Sequence, residues 1–224
     1  MAEPVRVLVV DDFRISRSFF EMYVRSSSRY ALAGSLSLAE EALPFCERHP
    51  VDMVIMDVMM RAGTDGLTAA ARLKERFPGV KIILCTSAAE TSWEEKARQT
   101  GVESFWYKEY STEPLLEVMD RTAAGERVYP TALPELRFGN TTRANLTDRE
   151  LDVLRELTSG YTNEEIARRL GITVNTVRYH IQNMLNKTGF ENRLDLAINA
   201  KGLWLVVSDQ DLAARSAGAG QTGI

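Results

Sequence analysis

Short apolar runs alternate with longer stretches in which apolar residues recur every three or four positions, and the alternation holds up to about Ala124. The runs lie near 5–10, 30–35, 52–57, 81–86 and 104–107. Continuous apolar character over about four to six residues marks strands buried on both faces of a parallel sheet. Helical periods fall between and after them, near 13–26, 38–48, 66–77, 91–100 and 112–124. The pattern predicts an α/β domain of five βα units, a doubly wound parallel sheet whose right-handed crossovers put helices on both faces. Pro44 interrupts the second helical period, so that helix either starts late or kinks there. Pro114 fits the first turn of the fifth helix, with Ser111 or Thr112 as its cap.

After Ala124 the pattern changes. Residues 125–143 carry Gly125, Pro130, Pro134 and Gly139 without a clean period, which predicts a linker with at most a short helix. Residues 144–207 then form a small all-α domain. Thr147 with Glu150, and Thr162 with Glu165, are Thr-x-x-Glu capping boxes placed before apolar periods, and they fix two helix starts. Gly171 supplies a C-cap, Thr173 caps a third helix through about Lys187, and a fourth runs from Asn192 to about Lys201. Two helices joined by a glycine-containing turn follow the helix-turn-helix plan. Residues 208–224 are small, polar and glycine-rich, and are expected to form a mobile tail.

The 224 residues, 45% of them hydrophobic, suffice for one sizeable core and a smaller second one. No apolar stretch approaches the roughly 20 residues that span a bilayer, and no basic segment precedes an apolar signal core, so a cytoplasmic protein with no membrane partner is expected. Cys46 and Cys85 lie in apolar surroundings without metal-like spacing, and free thiols are expected. The net charge of −4 is uneven: residues 1–142 hold 17 Lys and Arg against 21 Asp and Glu, residues 143–207 hold 9 against 8. The acidic excess belongs to the sheet domain.

Candidate chemistry gathers at the strand ends. The first run ends in Asp11 and Asp12, the third in Asp57, the fourth in Thr86 and the fifth leads into Lys108. In an open doubly wound sheet the carboxyl ends of the strands form the ligand crevice, so these side chains converge. Three carboxylates repel one another unless a positive group sits among them. A hard dication such as Mg²⁺ takes oxygen ligands, and Lys108 adds a point charge for a phosphoryl group. Taken singly, each residue reads more simply as a turn residue, a helix cap or a solvated charge; their joint order carries the argument.

An acidic pair after strand one, a lone Asp after strand three, Thr after strand four and Lys after strand five resemble the receiver domain of two-component response regulators. The resemblance implies the flavodoxin-like strand order 2-1-3-4-5 and makes Asp57 the acceptor of a phosphoryl group from a partner histidine kinase. It implies Mg²⁺ held by Asp11, Asp12, Asp57 and the backbone carbonyl of Met59. Thr86 and Lys108 would contact the phosphoryl oxygens, and Phe105 would swing with Thr86 as a switch. Phosphoryl transfer needs mainly positioning and charge neutralisation, which such a set supplies.

On the third helix of the small domain, the face opposite Val177, Ile181 and Met184 carries Asn175, Arg178, Tyr179, Gln182 and Asn186. Asn, Gln and Arg can pair with base edges, while Thr176 and Lys187 suit phosphates. No carboxylate interrupts residues 172–188, where an acid would repel a phosphate backbone. The segment LTDRELDVLRELTSGYTNEEIARRLGITVNTVRYHIQNMLNKTG is similar to the LuxR-type helix-turn-helix, and the whole chain from about residue 4 to 206 resembles the NarL/FixJ group of response regulators. The resemblance makes the helix after Thr173 the recognition helix on double-stranded DNA, with Arg178, Tyr179 and Gln182 at the base-reaching positions. Tyr179 is bulkier than the aliphatic residue often found there. The fourth helix, with Leu194, Leu196, Ala197 and Ile198, would form the contact of a homodimer on two half-sites.

The chain departs from the receiver pattern after Asp57. Met60 is followed by Arg61 where the family often has Met-Pro, and Gly66 falls one residue late. Met59 cannot orient a hydrolytic water, so a long-lived phosphorylated state is expected. It also stands where haloacid dehalogenase-type phosphatases carry a second Asp, which argues against an enzyme. Two readings remain: a DNA-binding regulator switched by phosphorylation of Asp57, and a DNA-binding regulator whose receiver works without phosphoryl transfer.

Overall fold

The computed structural model of the chain describes residues 3–60, 63–88, 91–130, 136–203 and 205–207. Strands β1 (Val5–Val10), β2 (Tyr30–Leu36), β3 (Met53–Asp57), β4 (Lys81–Thr86) and β5 (Ser104–Tyr107) form one sheet in the order β2-β1-β3-β4-β5. Every neighbouring pair is parallel. Alternate residues face opposite sides, and both sides are covered, which is why the strands read as continuous apolar runs. One side sets Val7, Val9, Ile55 and Ile83 against Phe20 and Val24 of α1 (Arg14–Arg25) and Leu115, Val118 and Met119 of α5 (Leu115–Ala123). On the other, Leu8, Val54, Ile82 and Leu84 are fully buried. The remaining helices of this unit are α2 (Ala42–Arg48), α3 (Gly66–Arg76) and α4 (Thr91–Thr100).

Both proline sites resolve by local chemistry. A 3₁₀ turn over Ala39–Glu41 precedes α2, so the α-helix starts late and Pro44 sits in its first turn, where a missing N–H costs no hydrogen bond. The fifth helix begins later than its apolar period indicated. Pro114 is the N-cap itself, at φ −60° and ψ 141°, and helix α5 starts at Leu115. A residue before proline is driven out of the helical region, and the Glu113 carbonyl accepts the Trp106 indole N–H at 3.0 Å. Ser111 caps nothing in α5: its hydroxyl accepts the Tyr107 N–H at 2.9 Å.

The segment expected as linker is more structured than its composition indicated. Val128 bridges Ser104 in parallel, with the Phe105 N–H bonded to the Val128 carbonyl at 2.9 Å. Among its described residues, β6 (Arg137–Phe138) and β7 (Thr141–Thr142) form an antiparallel hairpin, followed by a 3₁₀ turn over Arg143–Asn145. Gly139, at φ 62°, makes the tight reversal.

The second compact unit contains α6 (Asp148–Thr158), α7 (Asn163–Leu170), α8 (Val174–Thr188) and α9 (Arg193–Gly202). Both capping boxes form, Thr147 with Glu150 and Thr162 with Glu165. Thr173 and Asn192 cap α8 and α9 through their side chains, and Gly171 closes α7 in the left-handed region at φ 65°. Val153, Leu154, Ile166, Val177, Met184 and Leu196 are buried within this unit. The expected mobile tail, 208–224, lies outside the described residues. Among the described residues no helix is long and apolar enough to cross a membrane.

Candidate functional site

Asp11 and Asp12 follow β1 directly, Asp57 ends β3, Thr86 ends β4 and Lys108 follows β5. Because all strands run the same way, all five residues come to one edge of the sheet. A carboxylate oxygen from each of Asp11, Asp12 and Asp57 lies within 4.8 Å of the others. The Lys108 ammonium donates to Asp11 Oδ2 at 2.7 Å and stands 3.2 Å from Asp57 Oδ1. Asp11 is fully buried; its other oxygen accepts the Phe13 N–H at 2.8 Å. Arg17 donates to the Asp11 carbonyl at 2.7 Å, a support that no sequence signal marked. Helix α1, which carries Arg17, leaves Ile15 and Met22 exposed.

The electrostatics follow from burial. Desolvation pushes the Asp57 carboxyl up from 3.8 to about 7, opposed by Lys108 and reinforced by Asp11 and Asp12. Burial by itself would pull the Lys108 ammonium down, but Asp57 and Asp11 outweigh it and hold the lysine charged well above its ordinary range. One ammonium among three carboxylates leaves the cluster short of positive charge. An all-oxygen donor set with that deficit fits a hard dication such as Mg²⁺.

Thr86 is completely buried, one residue beyond Cys85, which pairs with Asp57 across the sheet. Phe105 is buried with its ring edge-on to Tyr107 at 5.1 Å. Burial also raises the Cys85 thiol, which is free. Val58, Met59 and Met60 are buried immediately after Asp57. The base of the loop is closed by the Gly66 N–H, which donates to the Val58 carbonyl at 3.0 Å. A Cβ at Gly66 would lie 1.8 Å from the Asp57 carbonyl oxygen, so only glycine lets α3 start this close to the acceptor strand. The one-residue shift of this glycine was visible in the sequence; its contact was not.

In the helical unit, Val177, Ile181 and Met184 turn α8 inward and leave Asn175, Arg178, Tyr179 and Gln182 exposed together, with 63% of Tyr179 accessible. The Arg178 guanidinium reaches Asn175 Oδ1 at 3.4 Å, and the Gln182 amide reaches Asn186 Oδ1 at 3.1 Å. Thr176 is half-buried, its hydroxyl 2.8 Å from that of Thr173 at the helix start. Lys187, expected at a phosphate, is paired within the unit. Its ammonium is held by Glu150 Oε2 at 2.7 Å and the Asn145 carbonyl at 3.0 Å. Glu150 is buried, and a buried carboxylate needs a counter-charge. Although burial raises the Glu150 carboxyl, Lys187 and the Thr147 donors outweigh this and leave it below the usual range. On α9, Leu196 and Ala200 point inward while Leu194 and Ile198 are exposed.

A parallel sheet with an acid–lysine cluster at its carboxyl edge, followed by a capped helix-turn-helix, defines a response regulator that joins a receiver to a LuxR-type DNA-binding domain. The response regulator receiver domain family matches residues 7–120, and the bacterial regulatory proteins of the luxR family match residues 144–200. The chain belongs to this family of two-domain response regulators. Response regulator protein VraR of Staphylococcus aureus is 30% identical over 201 residues, covering 88% of this chain and 96% of VraR. RcsB of Salmonella typhimurium superposes with a TM-score of 0.55 at 19% identity, covering 90% of this chain and 100% of that one. RcsB of Salmonella enterica serovar Typhimurium bound to promoter rprA with phosphomimetic BeF₃⁻ gives 0.54 at 20% identity, covering 87% and 97%.

Proposed function

We propose that this response regulator is switched by phosphorylation of Asp57 and binds DNA as a homodimer in the cytoplasm. The observation that carries the reading is the partly buried lysine clamped between Asp11 and Asp57, with Asp12 beside them. In the transfer step an Asp57 carboxylate oxygen forms a bond to phosphorus as the P–N bond of a kinase phosphohistidine breaks, and the electron pair returns to the imidazole. Asp11, Asp12, Asp57 and the Met59 carbonyl would hold Mg²⁺, which when bound neutralises charge on the phosphoryl oxygens. Lys108 pairs with one phosphoryl oxygen and the Thr86 hydroxyl donates to another. Moving Thr86 toward the phosphoryl group vacates space, which Phe105 takes up, and the packing change is what the rest of the chain senses. The shift in population then favours the dimer.

The exposed α8 face supports major-groove reading by Arg178, Tyr179 and Gln182, with Asn175 also suited to a base edge and Thr176 to a phosphate. A single domain carrying nearly balanced charge binds weakly, and the exposed Leu194 and Ile198 offer an apolar dimer contact. Selection of bound duplexes from a randomised pool, with and without acetyl phosphate and Mg²⁺, tests the reading. It predicts enrichment of a two-fold-symmetric site that strengthens on phosphorylation. Enrichment that ignores acetyl phosphate favours the second reading, a receiver that works without phosphoryl transfer, for which the altered sequence after Asp57 speaks.

A further inference from the structure

The connection from β3 to α3 carries the Met59 carbonyl, and it lacks the proline that often stiffens this loop in receivers. Its inner end is fixed by Gly66 against Asp57, as described above. Its outer end is fixed by a residue from elsewhere in the sheet unit. Glu40 belongs to the 3₁₀ turn over Ala39–Glu41, a turn seated by the buried Ala39 and followed by the buried Ala42. From there its Oε2 accepts the Thr64 N–H at 3.0 Å. Gly63 lies against the same carboxylate: a Cβ there would meet Glu40 Oε2 at 1.7 Å, and its φ of +71° disfavours any other residue. Two independent features at positions 63 and 64, a left-handed glycine and a backbone donor, therefore accommodate one side chain.

We propose that Glu40 is a positioning residue for the phosphoryl-acceptor site: it holds the loop after Asp57 in register so that the Met59 carbonyl faces the carboxylate cluster. The inference rests on the reading that this cluster takes Mg²⁺. Glu40 does not touch the cluster. It restrains positions 63 and 64 of the connection that carries the Met59 carbonyl. Confining that segment lowers the conformational entropy lost when a cation binds.

The test is calorimetric titration of Mg²⁺ into the full chain, wild type beside Glu40→Ala, Glu40→Gln and Gly63→Ala, with urea unfolding of each. Loss of one hydrogen bond to the loop should weaken Mg²⁺ binding in Glu40→Ala by about three- to tenfold, with a nearly unchanged unfolding midpoint. Glu40→Gln keeps an acceptor oxygen and should bind Mg²⁺ within about twofold of wild type. Gly63→Ala, which displaces the carboxylate while leaving it in the chain, should lose affinity as Glu40→Ala does. Unchanged affinity in Glu40→Ala overturns the proposal. Equal losses in the Ala and Gln variants also overturn it, because they assign the effect to the charge of Glu40 rather than to its bond. Absence of Mg²⁺ binding by folded wild type overturns the metal-site reading itself, and the positioning role with it.

Discussion

Lys108 and Arg178 are both cations at the working end of an element, and they live in opposite surroundings. The first is partly buried between two carboxylates 2.7 and 3.2 Å away, whereas the second is exposed and hydrogen-bonded to Asn175 at 3.4 Å. In the sheet unit, charges are held in low dielectric, where a single added phosphoryl group changes a large electrostatic balance. On the exposed face of α8, polar groups stay solvated until they meet a partner, so each contributes little alone and several must act together. On the proposed function, the difference accounts for a switch set by one small covalent change at one edge of a sheet and for a DNA face that works in two copies. It also predicts that substitutions in the first region will disturb folding and function together, and that those in the second will separate them.

The largest effect should come from Lys108→Met. Removing the counter-charge leaves buried carboxylates uncompensated, and urea unfolding of the metal-free protein at pH 8 should show a loss of about 3 kcal/mol. A loss as small as that of an exposed lysine would erase the contrast. Asp57→Asn acts in the opposite direction. Because the folded carboxyl titrates near 7 and the unfolded one near 3.8, protonation stabilises the fold, and this stability is lost as pH rises through 7. The uncharged variant should therefore be more stable than wild type at pH 8 by on the order of 2 kcal/mol, with the gain shrinking toward pH 4. A gain that grows on acidification would contradict the burial argument.

Arg178→Ala should leave the thermal midpoint almost unchanged while weakening binding to the selected duplex by about tenfold and relaxing preference at one base pair, as fluorescence anisotropy would show. The smallest effect is kinetic. Met59 is buried beside Asp57 and offers no hydrogen bond to a hydrolytic water, so Met59→Asn should shorten the lifetime of the phosphorylated form severalfold. An unchanged decay followed by intact mass would remove Met59 from the account.

The two regions also differ in how far the chain announces them. Asp11, Asp12, Asp57, Thr86 and Lys108 are legible because a parallel sheet converts order along the chain into proximity at one edge. The caps Thr147, Thr162, Thr173 and Asn192 are legible because capping is local. What stayed hidden depends on contacts distant in sequence. Glu40 reaches Thr64 and Lys187 reaches Glu150 across spans that no period or motif connects, and Lys187 on its own helix is indistinguishable from a cation free for phosphate. The hairpin over Arg137–Thr142 was hidden for another reason: two-residue strands are too short to show alternation. Pro114 shows how one rigid residue moves a boundary, since it set the start of α5 against an apolar period that extended further back.

The most direct test of the account is intact mass of the full chain after incubation with Mg²⁺ and acetyl phosphate, beside Asp57→Ala. The account predicts one added phosphoryl group on wild type and none on the variant. Folded wild type that takes up no phosphoryl group, while a control receiver does, would contradict it and leave the acid–lysine cluster as a structural feature of a regulator switched by other means.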